Sequence, residues 1–475
     1  MRTIKMPSAN ALSSSPSASA HNASLDGGFT HSAQGTSLRR ILGLPALVFF
    51  GLVYMVPLTV FTTYGVVTQL TGGRTAAAYV ITLLAMIFTA LSYSIMVKKY
   101  PIAGSAYSYA SLSFGPGIGF LAGWSLLLDY LFLPMINYLV IGLFLNLAFP
   151  AVPAWVFVVA TISLVTLLNI RGIGSVSSMS NLIVCAQMVF VVVFVALVVR
   201  QLAGAESLDL SAPWVGDGSQ DGLLPLMAGA AVLCLSFLGF DAVSTLAEET
   251  RDPRRDIPRA IVITTLGAGL LFILLAMTSQ LAFPGSSFKD ADSAASEVML
   301  HAGGRFLEMF FTATYVAGAA GSALASQASV SRILFSMGRD GILPRRVFGT
   351  LSERYKTPVV AIVLVSLVSL LAVVIDLTTL ASMISFGALV AFSVVNLAVI
   401  KSHLGQGQPR STARLLQYGL LPLIGFALIA WLWTSLSALT LGIGLAWFAL
   451  GLLYLGIHTR GFRQPAPTVQ FSEQA

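Results

Sequence analysis

One pattern limits this chain before any other: from Arg40 to Arg460, apolar runs follow one another with only short stretches of Gly, Pro and charge between them. Most of the runs reach about 20 residues, the length that crosses hydrocarbon as an α-helix. A membrane β-barrel needs short strands that alternate apolar and polar residues, and these runs do not alternate. A soluble fold fails on composition, because 9% of the 475 residues are charged and 56% are hydrophobic, whereas an ordinary soluble domain carries about 25% charged residues. The expected fold class is an all-α integral membrane protein in a lipid bilayer.

The runs fall near 42–70, 77–97, 118–148, 152–170, 180–199, 223–247, 260–283, 306–331, 358–375, 379–400, 416–436 and 439–457, which makes twelve transmembrane helices. In that arrangement 22 of the 26 Lys and Arg residues lie on the side that holds both termini. Cytoplasmic loops retain positive charge, so both termini are expected in the cytoplasm of a multi-pass plasma-membrane protein. The opposite loops, from Glu206 to Asp376, are net acidic. A net charge of +7 points to nucleic acid only when the basic residues share one water-facing surface; here they are scattered between the runs, and no nucleic-acid partner is expected. Cys185 and Cys234 both fall within runs, so neither a disulfide nor a metal site is expected of them. Residues 1–37 are rich in Ser, Ala and Gly without an apolar h-region and read as a disordered cytoplasmic N-tail rather than a signal peptide. The membrane domain is expected over 38–460, with 461–475 as a cytoplasmic C-tail.

A charge within a span costs roughly 2.5–3.5 kcal/mol on insertion scales, so an intramembrane carboxylate is a functional candidate. Asp129, in Trp124-Ser-Leu-Leu-Leu-Asp129-Tyr130-Leu-Phe-Leu-Pro134, lies about 12 residues or ~18 Å of helix beyond Gly117, near mid-membrane. Helical spacing puts Asp129, Leu133 and Asn137 on one face with Tyr130 beside them. Asp241 follows Phe237-Leu-Gly239-Phe240, where the glycine permits a break. That carboxylate either serves a binding site or caps the helix that resumes. The first span has a matching interruption at Tyr54-Met-Val-Pro57-Leu-Thr59, where Pro57 removes an amide donor and frees a carbonyl. Spans one and six are five apart. Interruptions at that offset point to two inverted five-helix repeats, about 42–199 and 223–400, with broken helices 1 and 6 and two added C-terminal helices over 416–457.

Two further strings are specific: Glu248-Glu249-Thr-Arg251-Asp-Pro253-Arg-Arg-Asp-Ile257-Pro258-Arg259, and Ser331-Arg332-Ile-Leu-Phe-Ser-Met337-Gly-Arg339-Asp340-Gly341-Ile-Leu-Pro344. Both resemble signatures of the amino acid-polyamine-organocation permeases, and the resemblance covers roughly residues 38–460. Ala103-Gly-Ser-Ala-Tyr107-Ser-Tyr109, the string around Asp129 and Phe237-Leu-Gly-Phe-Asp241-Ala-Val are similar to the bacterial putrescine importers of that family. The resemblance implies a secondary active transporter of the bacterial inner membrane that imports a dicationic diamine, putrescine foremost, by proton symport with alternating access. It also implies binding residues on spans one, three, six and eight. An amino-acid permease or an amino acid/amine exchanger of the same fold is the alternative.

The substrate-binding candidates are Tyr54, Thr59, Asp129, Tyr130, Phe237, Phe240 and Asp241, with the rings chosen because aromatic faces attract ammonium groups. Glu248 and Ser329 are candidates for coupling or gating. Amino-acid carriers of this fold usually have a Gly-rich break in span one, whose bare amides hold the substrate carboxylate. The stretch around Pro57 has no glycine, which suits a substrate with amines and no carboxylate. A membrane enzyme would need an acid–base or nucleophilic cluster at one depth. The five histidines, at 21, 31, 301, 403 and 458, fall in tails, loops or span ends. A receptor would carry a soluble output segment, and none is seen between the runs. No cofactor is expected beyond the proton as coupling ion.

Overall fold

The computed structural model describes residues 40–102, 104–172, 176–204, 209–339, 341–404 and 411–461. The expected tails lie outside these residues, Gly461 excepted, as do Ala103, Asp340 and Glu206. The described residues belong to one compact unit and are helical, with a single isolated bridge between Leu42 and Thr250.

In chain order, α1 (Leu44–Met55), a 3-10 turn at Thr59–Phe61 and α2 (Tyr64–Thr71) come first. They are followed by α3 (Thr75–Lys99), α4 (Ser105–Phe114), α5 (Pro116–Ala148), α6 (Ala154–Arg171), α7 (Val176–Leu202), the single turn α8 (Ala212–Val215) and α9 (Leu223–Leu233). Two 3-10 turns, Cys234–Phe237 and Ala242–Leu246, lead to α10 (Pro253–Ala282). The rest comprises α11 (Ala294–Arg339), α12 (Arg345–Phe348), α13 (Val359–Ser369), α14 (Leu377–Leu404), α15 (Thr412–Leu415), a π-helical turn at Leu416–Leu420, α16 (Leu421–Thr434) and α17 (Ala438–His458).

Ten helices among the described residues are long and apolar enough to cross a membrane, so this is an all-helical, multi-pass membrane protein. Val359–Val373 is apolar but shorter. The run expected at 306–331 lies inside α11, whose buried positions include Ser322, Ser326, Gln327, Ser329 and Ser331. Those residues lower its hydropathy, as expected of a helix that faces protein rather than lipid.

Helix ends follow local chemistry. Pro116 opens α5, where an amide has no intrahelical acceptor in any case. Lys98 and Lys99 close α3, where positive charge suits the helix dipole. Within the spans, hydroxyls are satisfied one turn back: Thr82 donates to the Ala78 carbonyl at 2.9 Å, Thr264 to Ala260 at 2.7 Å and Ser331 to Gln327 at 2.7 Å.

The centre of the bundle is α5, with buried positions from Gly119 to Phe144. Along it pack α4, α11 and α14, while α10 packs along α3. The last helix joins α5 through a reciprocal clasp: Trp124 Nε1 donates to the Trp447 carbonyl at 2.9 Å, Trp447 Nε1 donates to the Trp124 carbonyl at 2.8 Å, and the indoles stack with centroids 5.0 Å apart.

Candidate functional site

Two stretches near α5 leave the helical path. At the first, α1 stops at Met55, and Val56 takes a left-handed φ of 55° ahead of Pro57. The chain then turns through Thr59–Phe61 and resumes helix at Tyr64. The freed carbonyl of Tyr54 accepts a hydrogen bond of 2.7 Å from Ser322 Oγ on α11. Asn137 of α5 completes the link, its Nδ2 donating to Ser322 Oγ at 3.1 Å and to the Leu133 carbonyl at 2.9 Å. Just past the turn Thr59–Phe61, Thr62 is hydrogen-bonded to the Tyr315 hydroxyl.

At the second stretch, the turn Cys234–Phe237 gives way to extended backbone at Leu238 and then to Gly239 at φ 130°. Only glycine fits there, both for its φ and because an added Cβ would stand 2.8 Å from Tyr54 Cδ1 and Met55 Cγ. This is how the two stretches come to touch. Asp241 follows, 1% exposed. Its Oδ1 accepts from the Gly239 amide at 3.3 Å and its Oδ2 accepts from the Tyr130 hydroxyl at 2.9 Å. The side chain bonds backward and across to α5, and does not cap the turn Ala242–Leu246 that starts beside it.

Asp129 sits one residue before Tyr130 on α5, 2% exposed. Its Oδ1 has no hydrogen-bond partner among the described residues. Gly387 lets α14 close on it, since a Cβ there would lie 2.7 Å from the Asp129 amide nitrogen. Five residues beyond Asp129, Pro134 lies within α5 and removes the amide that would otherwise donate to the Tyr130 carbonyl. Asp129 directly precedes Tyr130, whose hydroxyl bonds Asp241, and Tyr54 borders Gly239, two residues before Asp241. The Tyr54 and Tyr130 rings meet edge to face at 6.4 Å.

The structure therefore brings Tyr54, Asp129, Tyr130 and Asp241 together. Thr59 shares with Tyr54 a cavity of ≈ 20 Å³, also lined by Thr62, Asn137 and Ser322. Phe240 stacks on Phe392 of α14 at 5.2 Å and meets Tyr93 edge-on at 5.8 Å, beside the group. Phe237 turns the other way, against Phe272 at 5.4 Å and Tyr79 at 6.4 Å, in the contact between α3 and α10. Ser329 is buried on α11 about two turns beyond Ser322. Glu248 is exposed, and its neighbour Glu249 makes the ion pair, Arg332 Nη1 to Glu249 Oε1 at 3.2 Å. The Glu249 carbonyl also accepts from the amides of Ile41 and Leu42, each at 3.0 Å, so the start of the described chain is fastened to the same loop. Asn137, Ser322, Tyr315 and Gly387 were not among the sequence candidates. Asn137 alone had a signal, its place on the Asp129 face.

The sequence from 46 to 451 matches the amino acid permease model. The chain belongs to the amino acid permease family. Across 448 residues it is 41% identical to the low-affinity putrescine importer PlaP of Escherichia coli K12, which covers 92% of this chain and 98% of that protein. The branched-chain amino acid permease BcaP of Bacillus subtilis is 26% identical over 89% of this chain and 94% of its own. Cationic amino acid transporter 4 of Arabidopsis thaliana is 31% identical over 70% of this chain and 57% of its own. Membership makes this permease a carrier rather than an enzyme, and implies the family's all-helical membrane fold.

Proposed function

We propose that this permease imports putrescine, or a diamine close to it, across the bacterial inner membrane by proton symport with alternating access. The carrying observation is a pair of buried carboxylates, Asp129 and Asp241, set against the Tyr54 and Tyr130 rings in a chain 41% identical to a putrescine importer. One ammonium meets Asp129, whose Oδ1 is available. The other meets Asp241 and the carbonyls freed near Tyr54. The two rings take the methylene chain, each cation–π contact contributing roughly 0.5–2 kcal/mol. Phe240 supports them, Thr59 lines the approach, and Phe237 serves the core.

In this reading twelve helices cross the membrane as two inverted repeats of five plus two. The stretches at Val56 and Gly239 are the interrupted first and sixth spans, and both termini are cytoplasmic. The ≈ 20 Å³ cavity beside Tyr54 holds about one water. Admitting a diamine requires the segments around Tyr54 and Gly239 to part, which is the work of alternating access. The Glu249–Arg332 pair takes the gating role assigned in sequence to Glu248, and Ser329 remains a coupling candidate. The membrane potential favours import: a dication crossing about 100 mV gains roughly 4.6 kcal/mol, equivalent to about a thousandfold accumulation.

Uptake of labelled putrescine into proteoliposomes, with and without a proton gradient, tests the reading. Ornithine is putrescine with an added carboxylate, and near Asp129 that group meets like charge without amides to hold it. It should compete at least about 100-fold less well, or roughly 2.7 kcal/mol. Equal competition by ornithine or lysine would return the chain to amino-acid transport, the reading that BcaP and the cationic transporters favour.

A further inference from the structure

A second site lies at a different level of the bundle. The C-terminal ends of α3 and α14 and the segment α15 with its π-helical turn enclose a cavity of ≈ 380 Å³ lined by Lys98, Lys99, Ser402, His403, Arg414 and Tyr418. That volume falls in the range of small-ligand pockets, roughly 300–1,000 Å³. Among the described residues no carboxylate lines it. Lys99 Nζ donates to the Ser402 carbonyl, which holds that ammonium in place. The π-helical turn seats Tyr418 flat on His403, with centroids 4.3 Å apart, and the Arg414 guanidinium lies 5.9 Å from the Tyr418 ring centre. Lys98, Lys99 and Arg414 set three cations on one polar cavity, which suits an anion and repels a diamine, so the pocket is no part of the transport route proposed above.

Its surroundings identify the anion. Ser94 of α3 donates to the Pro258 carbonyl at 3.3 Å, which places the pocket at the same end of the bundle as the Glu249–Arg332 pair, where spans end and headgroups begin. Leu415, Leu416 and Leu420 are exposed directly beside Arg414 and Tyr418. A water-soluble anion has no use for those leucines, whereas a molecule with a phosphate and acyl chains uses both. We propose that this pocket binds the phosphate of an anionic phospholipid, with the headgroup between Lys98, Lys99 and Arg414 and the chains along the exposed leucines. Basic pockets between spans hold anionic headgroups by this combination of charge and depth. The site clamps α14, which packs on Asp129, to α3, so its occupancy sets how firmly two walls of the bundle are joined.

The test is thermal unfolding of the purified full-length protein in neutral detergent, titrated separately with phosphatidylglycerol, phosphatidylcholine and inorganic phosphate. Phosphatidylglycerol should raise the melting temperature saturably, and the other two should not. Each basic residue near a headgroup is worth about fivefold, so Lys98→Gln with Arg414→Gln should weaken apparent phosphatidylglycerol affinity about 30-fold. The pair Arg345→Gln and Arg346→Gln, on α12, should leave it unchanged. If the first pair does not fold, Lys98→Gln alone, an exposed side chain, should still weaken it about fivefold. Equal stabilisation by phosphatidylcholine, equal stabilisation by inorganic phosphate, an unchanged affinity in the Lys98 and Arg414 variants, or an equal loss in the α12 pair would each overturn the proposal.

Discussion

The stretches at Val56 and at Gly239 both stop a helix beside α5, yet they settle their freed backbone in opposite ways. At Val56 the stretch brings no charge of its own, only the hydroxyls of Thr59, Thr62 and Thr63 and freed backbone, with the Tyr54 carbonyl held by Ser322 from another helix. At Gly239 the stretch brings its own carboxylate, Asp241, which accepts the Gly239 amide and the Tyr130 hydroxyl. The first therefore depends on α11 for its geometry, and the second depends on α5. A cation between them meets carbonyl dipoles on one side and full negative charge on the other. Substitutions on the Gly239 side, with its charge and its glycine, should accordingly have the larger effects.

Asp129→Asn offers the largest test, because it removes the α5 charge while keeping its shape. Apparent putrescine affinity in proteoliposome uptake should fall by about 2–5 kcal/mol, or some 30-fold or more. Unchanged affinity in a variant that reaches the membrane would remove Asp129 from the site. Tyr130→Phe deletes the donor to Asp241 Oδ2 and should lower stability by about 1.5–3 kcal/mol, the range for hydrogen bonds to charged groups. Thermal unfolding of the purified variant reads this directly. A melting curve that matches the parent would mean that Asp241 finds its stabilisation elsewhere.

Gly239→Ala sharpens the contrast from the backbone side. The left-handed φ of 130° alone should cost about 1–2 kcal/mol, and the new methyl must displace Tyr54 or Met55, so both transport and melting temperature should fall. Retention of both would show that the contact of the two stretches is loose. The smallest effect belongs to the Val56 side. Ser322→Ala removes the donor to the Tyr54 carbonyl and should cost about 0.5–1.5 kcal/mol in stability. A drop as large as that of Tyr130→Phe would mean that the two stretches are held with equal force after all.

Asp129 and Asp241 were legible in the sequence as candidates because a carboxylate in an apolar run has no cheap alternative, and Tyr54 and Tyr130 because they stand beside the Pro57 break and Asp129 with rings that attract ammonium groups. Their partners were not. Ser322 resembles every other serine on a span, and most of those bond one turn back, as Ser326 does to the Ser322 carbonyl at 2.7 Å. Nothing in its type marks it as the serine that reaches another helix. The choice between Glu248 and Glu249 was also closed to sequence reading. The turn Ala242–Leu246 just ahead of them is 3-10 rather than α-helical, at about 3.0 residues per turn instead of 3.6, which shifts the face each glutamate presents. The extended backbone at Leu238 and the left-handed Gly239 separate Phe237 from Phe240, and the former goes to Tyr79 and Phe272. The run that became α11 was legible by length and by its small residues, whereas the eight residues from Val56 to Thr63 had no periodicity to read.

The paired indoles of Trp124 and Trp447, 5.0 Å apart and tilted by 21°, give this protein an optical gauge of its own. Chromophores stacked this closely share their electronic transitions, so the near-ultraviolet circular dichroism of the pair depends steeply on their separation and angle. Trp124 stands five residues before Asp129 on the same helix. Any tilt of α5 against α17 during a transport cycle would register as a change in that signal, without a label or an introduced residue.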